Sequence, residues 1–190
     1  MEPREFEILK AYFDKRDMAF IERKGISVFS TTYGIYGSSD LRDVYALFQR
    51  IGLSRFRSFV DLGSGAGRVA LLAALFTASV GIEGDEELHA LALEAKEALA
   101  QELPSLGRCE LKNADYVQEE LSGYDILFIY ADHNWPESFQ DKLLRECRGT
   151  ALSLHNIFSP GKLKKGKTYW IGQTPFVSYP LNVESSLDDG

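Results

Sequence analysis

Apolar positions recur at helical spacing in two stretches near the start of the chain. From Phe56 onward they contract into short continuous runs separated by mixed segments. In the first stretch Phe6, Leu9, Phe13 and Phe20 fall on one side of a helix, with Gly25 as its stop. The segment ISVFSTTYGIYGSS reads as extended or looped, punctuated by Gly34 and Gly37. Leu41, Val44, Tyr45, Phe48 and Ile51 then mark one face of a second helix. Ser38, Ser39 or Asp40 can cap it, because their side-chain oxygens accept hydrogen bonds from free first-turn amides.

Beyond Phe56 the runs FRSFVDL, ASVGIE, RCELKN, YDILFIY and TALSLHN read as strands, with helices expected near 67–78, 85–102, 115–121 and 136–147 between them. Apolar strands alternating with helices predict a parallel sheet covered on both faces. After Asn156 the rhythm changes: KTYWIGQ and PFVSYPLNV have no helix between them and should pair antiparallel. The expected fold is α/β, a three-layer Rossmann-like doubly wound sheet of five parallel strands plus a C-terminal antiparallel hairpin. Residues 1–37 form an N-terminal helix and lid-like segment, 38–183 the main domain, and 184–190 an acidic tail.

Composition narrows the function classes. With 45% apolar and 12% aromatic residues among 190, the chain can bury a sizeable core. A formal charge of −7 disfavours a general nucleic-acid binder, which needs surplus Lys and Arg to neutralise phosphates. Cys109 and Cys147 are too few and too isolated for a disulfide framework or a zinc cluster and read as buried reduced thiols, so no metal site is expected. The N-terminus lacks an apolar signal core, and no run approaches the roughly twenty apolar residues of a membrane span. A cytoplasmic protein is the expectation.

The densest chemical signal is VDLGSGAGR, where a strand runs into a helix. Gly63 and Gly65 allow a sharp turn and close approach of a ligand to the backbone, and Gly67 lets the helix start close to the sheet. A dinucleotide fold needs G-x-G-x-x-G, whereas this spacing is G-x-G-x-G and Arg68 stands at the third dinucleotide position; Arg68 reads as a surface helix residue. Asp61 before the turn would repel a pyrophosphate but suits the ammonium of an amino-acid moiety. Glu83, about twenty residues beyond Gly63, ends its strand where a carboxylate bonds ribose hydroxyls. Acid, glycine turn and ribose acid together fit S-adenosylmethionine better than NAD.

On these residues the chain resembles the class I, seven-stranded S-adenosylmethionine-dependent methyltransferases. DLGSGAGR resembles the first motif of that family, GIEGDEEL the second, and KNADY the third site, over roughly residues 33 to 183. The resemblance implies S-adenosyl-L-methionine as cofactor, held by Asp61, Gly63, Ser64, Gly65, Gly67, Glu83, Gly84, Asp115 and Tyr116, with Asp115 meeting the adenine exocyclic amine. YGSSDLRDVYALFQRIGLSRFRSFVDLGSGAGRV is similar to the start of the catalytic domain in the non-SET histone-lysine methyltransferases and their small archaeal relatives. That likeness implies that Ser38 or Ser39 contacts the cofactor carboxylate. The chain departs from the group after its fourth strand, where Tyr130, Ala131 and Asp132 replace an asparagine pair.

Methyl transfer from a sulfonium is an in-line displacement that needs orientation and exclusion of water. A lysine acceptor must lose its proton first: near pKa 10.4 only about one amine in 2,500 is neutral at pH 7, a cost of roughly 4.6 kcal/mol. A desolvated aromatic channel favours the neutral amine. Tyr33, Tyr36, Tyr130, Trp135 and Phe158 are candidates for its rim, and Asp132 or His133 for moving a proton or orienting the acceptor. His155 reads as structural. Lys162, Lys164, Lys165 and Lys167 form the one dense basic run, read as a solvated loop, with contact to an acidic partner or automethylation as the alternatives. A protein lysine is the leading acceptor. A small molecule and a non-catalytic cofactor-binding partner subunit are the other readings.

Overall fold

The computed structural model describes residues 3–24, 28–31, 34–37, 39–131, 133–154 and 158–181. Helix α1 (Arg4–Lys24) is followed by the hairpin β1 (Val28–Thr31) and β2 (Gly34–Gly37), then by helix α2 (Leu41–Ile51). The strand–helix alternation comprises β3 (Ser58–Leu62), α3 (Arg68–Ala73), β4 (Ala78–Glu83), α4 (Glu86–Leu99), β5 (Cys109–Asn113), β6 (Ile126–Ile129), α5 (Glu137–Glu146) and β7 (Thr150–Leu154), and β8 (Thr168–Ile171) with β9 (Thr174–Pro180) closes the chain. The sheet order is β5-β4-β3-β6-β7-β9-β8. The first five strands are parallel, and β9 runs antiparallel between β7 and β8. The doubly wound sheet with its terminal hairpin is the architecture the apolar runs predict.

Alternation along β3 explains the three layers. Phe59 points into a core with Phe6, Leu9 and Phe13 of α1, Phe48 of α2 and Phe128 of β6. Val60 points the other way, with Leu127, Phe139 and Leu143. The Phe48 and Phe59 rings meet edge to face at 5.2 Å, and Phe6 stacks on Tyr45 at 4.2 Å. Each such side chain contributes about 1.5–3 kcal/mol on full burial. Asp40 caps α2 by accepting from the Arg42 amide at 2.7 Å, and Gly52 ends that helix in the left-handed region at φ 65°. Cys109 and Cys147 are buried, and burial pushes both thiols up to about 11. Among the described residues no helix is long and apolar enough to cross a membrane.

Two sequence expectations are corrected. The helix expected over 67–78 is the six-residue α3, because the chain tightens after Ala73 to deliver Phe76 against Tyr45 and Phe48 and Thr77 Oγ to the Phe56 carbonyl at 2.6 Å. The helix expected over 115–121 is a turn. Asp115 accepts from the Val117 amide at 2.9 Å, a side-chain bond that competes with helix. Phe20, as a side chain, and the tail 184–190 lie outside the described residues.

Candidate cofactor and acceptor site

The glycine turn is folded back onto the end of the neighbouring strand. The amides of Gly63 and Ser64 both donate to the Ile82 carbonyl of β4, at 2.9 and 3.0 Å. Gly63 and Gly65 have φ of 75° and 54°, a region closed to most side chains. Glu83, the last residue of β4, completes the join. One carboxylate oxygen accepts from the Gly65 amide at 2.7 Å and the other from the Asp85 amide at 2.8 Å. Asp85 caps α4 through the Leu88 amide. One carboxylate therefore fixes both the turn and the start of the next helix.

A cavity of about 260 Å³ opens along the C-terminal ends of the parallel strands. Asp61, Gly63, Ser64, Gly65, Glu83, Gly84, Asp115, Tyr116, Ser39, Tyr130, His133 and Trp135 all line it, so the fold brings together most of the residues singled out in the sequence. Gly67 does not. At φ 81° it faces α4, and an added Cβ would stand 2.8 Å from the Ala92 Cβ, so its glycine serves packing. Ser38 and Asp132, with Tyr33 and His155, lie outside the described residues, as does the side chain of Tyr36.

The charges in the cavity select its occupant. Asp61 is 4% exposed, and burial, with the neighbouring Glu83 charge adding to it, pushes its carboxyl up to about 8. A cation beside Asp61 would restore the ionised form. A pyrophosphate would meet the opposite welcome: Glu83 already holds the Gly65 amide, a donor that a phosphate on this turn would require, and six-residue α3 lends little dipole. The donor set thus fits a ligand carrying positive charge and a diol rather than a dinucleotide.

Arg68 is not the surface residue expected. It is 8% exposed and lines the cavity. One terminal nitrogen donates to Asp17 of α1 at 2.6 Å, the other to the Ser39 carbonyl at 3.1 Å, and the guanidinium lies over the Phe13 ring at 5.1 Å.

The wall past β6 is built differently. Tyr130 is 46% exposed and His133 is exposed, whereas Trp135 is buried between Phe139 and Tyr179, with centroids 5.9 and 6.2 Å away. Its indole nitrogen is buried with no hydrogen-bond partner among the described residues. The Tyr116 ring meets Phe139 edge to face at 5.2 Å, carrying the aromatic wall across to the Asp115 turn. Phe158 is half-buried against the same core. In the basic run Lys162 is paired with Asp141 and Glu137 of α5.

The Histone methylation protein DOT1 family model matches residues 24–125, more than half of the chain. The chain belongs to this family. Its fold is that of the class I S-adenosylmethionine-dependent methyltransferases: an RNA methyltransferase from Salinibacter ruber, in complex with S-adenosyl-L-homocysteine, superposes with a TM-score of 0.62 at 19% identity, over 80% of this chain and 99% of that one. A methyltransferase from Aquifex aeolicus gives 0.55 at 16% identity, over 73% and 88%. The T. thermophilus 16S rRNA N2 G1207 methyltransferase, with AdoMet and guanosine, gives 0.55 at 17% identity, over 80% of this chain and 49% of that one. No curated protein matches the chain in sequence.

The family segment contains the glycine turn, Glu83 and Asp115 and stops at the first residue before β6. Arg68 is the lining residue that sequence reasoning missed. A signal was present: a cation in the first turn of a helix opposes the helix dipole and needs another partner.

Proposed function

We propose that this member of the DOT1 family transfers a methyl group from S-adenosyl-L-methionine to an amine, the side chain of a protein lysine. The observation that carries the cofactor assignment is the pair of hydrogen bonds that Glu83 accepts from the Gly65 and Asp85 amides, beside a buried Asp61. It leaves the turn shaped for a backbone-hugging ligand, short of free donors for phosphate, and next to a carboxyl that a cation would ionise. The unused lone pairs of Glu83 accept the ribose hydroxyls, and the Asp115 oxygen not engaged by Val117 accepts the exocyclic amine of the base. The bound cofactor supplies an electrophilic methyl group on a sulfonium. The chain supplies orientation and a water-poor wall, from Trp135, Phe139 and Tyr116, against which an amine arrives unprotonated.

The family description and the aromatic wall support lysine as the acceptor. The test is transfer of tritiated methyl from labelled cofactor to cell extract. Label that survives dialysis and nuclease but not protease supports a protein acceptor. Loss with nuclease assigns RNA, and loss on dialysis a small molecule. Cofactor binding with no label in any fraction would make the chain a non-catalytic subunit.

A further inference from the structure

We infer that helix α1, which lies almost wholly outside the family segment, is a working part of the cofactor site: Asp17 positions Arg68 to receive the carboxylate at the amino-acid end of the ligand. The inference rests on the cofactor reading above. The family match begins at residue 24, yet α1 spans Arg4–Lys24, buries Phe6, Leu9 and Phe13 and brings Asp17 to Arg68. Among the described residues lining the cavity, Arg68 is the one Lys or Arg, alongside the acids Asp61, Glu83 and Asp115. An amino-acid carboxylate brought into that acidic surround needs a cationic partner, and Arg68 is the one in place.

Its geometry is set for that task. Asp17 and the Ser39 carbonyl take the two terminal nitrogens, and Phe13 supports the plane, which fixes the guanidinium in one orientation. Each terminal nitrogen keeps a second N–H beyond these bonds, and the Nε–H is buried with no partner among the described residues. A buried donor left open is costly and is rare unless something else completes it. Asp17 also offsets the Arg68 charge, so the arginine can stay buried without the ligand carboxylate. Arg16 anchors the same turn of α1 by donating to the Leu91 carbonyl of α4 at 2.7 Å. Asp17 is a positioning residue, because it acts through Arg68.

The experiment compares two ligands on the full chain by calorimetry. One is S-adenosylhomocysteine and the other is 5′-deoxy-5′-(3-aminopropylthio)adenosine, which keeps the ammonium and lacks only the carboxylate. The wild type should prefer the first by roughly ten- to hundredfold, the range for a charge-assisted hydrogen bond. Asp17→Asn and Arg68→Gln should each bring that ratio towards one while leaving the affinity for the second ligand nearly unchanged, an outcome that a general loosening of the fold would not produce. If Asp17→Asn alone fails to fold, the charge-free double variant D17N/R68Q carries the same expectation. A ratio unchanged in the folded variants overturns the inference and leaves the cofactor reading intact. Wild type that binds neither ligand overturns the cofactor reading itself.

Discussion

The two walls of the cavity are built on opposite plans. On the β3–β4–β5 side polar groups are tied into the backbone: Glu83 holds two amides, Asp115 a third, and the Ile82 carbonyl receives two more. On the side past β6, Tyr130 and His133 stand exposed and the Trp135 indole nitrogen is buried with no partner among the described residues. The first wall falls within the family segment and the second outside it. The tied wall is set in one shape before a ligand arrives. Pre-formed hydrogen bonds make a rigid receptor for the cofactor, while the exposed side chains past β6 leave an open face.

The sharpest way to break this contrast is Glu83→Ala. It leaves two amides without their acceptor, at about 1–3 kcal/mol each, and removes the ribose contact. Melting temperature should fall by several degrees, and S-adenosylhomocysteine affinity more than a hundredfold; an unchanged dissociation constant would take Glu83 out of the site. Gly67→Ala comes next, because its Cβ would press on Ala92 from a left-handed backbone. A loss of about 1–3 kcal/mol in a denaturant melt is expected, with ligand affinity of the folded fraction retained. Loss of affinity without loss of stability would make Gly67 a ligand contact instead.

Asp61 gives a subtler test. A carboxyl raised from 3.8 to about 8 keeps its proton in the folded ligand-free chain where the unfolded chain has released it. Its contribution to stability is therefore greatest below pH 4 and declines as pH rises towards about 8. A cationic ligand needs the ionised form, so its affinity should climb over the same window and binding near pH 7 should release a proton. Calorimetry in buffers of different ionisation enthalpy measures that proton, and Asp61→Asn should abolish it. The smallest effect is expected of Trp135→Phe on the ligand-free protein. Removing an unsatisfied donor should change stability by less than about 1 kcal/mol and leave S-adenosylhomocysteine affinity alone, while raising KM for the acceptor. A large loss of cofactor affinity would move Trp135 to the other wall.

What the sequence disclosed follows the range of the interactions. The strands were legible because runs such as YDILFIY are buried on both faces, and the glycine turn with Asp61 and Glu83 because spacing along one strand–helix–strand unit fixes where they meet. The turn at Asp115 was misread as a helix because a single side-chain-to-amide bond overrode a weak periodicity. Arg68 escaped because its partner Asp17 is fifty-one positions away, a separation that only folding reveals. Glu83 was placed correctly, but its hold on two backbone amides appears only once β4 lies beside β3.

The cavity is made for a positively charged nucleoside and not for a dinucleotide. Titration of the wild-type chain with S-adenosylmethionine and, separately, with NAD tests that directly. Saturable binding of the first at one site per chain, with no heat from the second, is the predicted result. Binding of NAD, or no binding of S-adenosylmethionine at any pH between 6 and about 9, would contradict it.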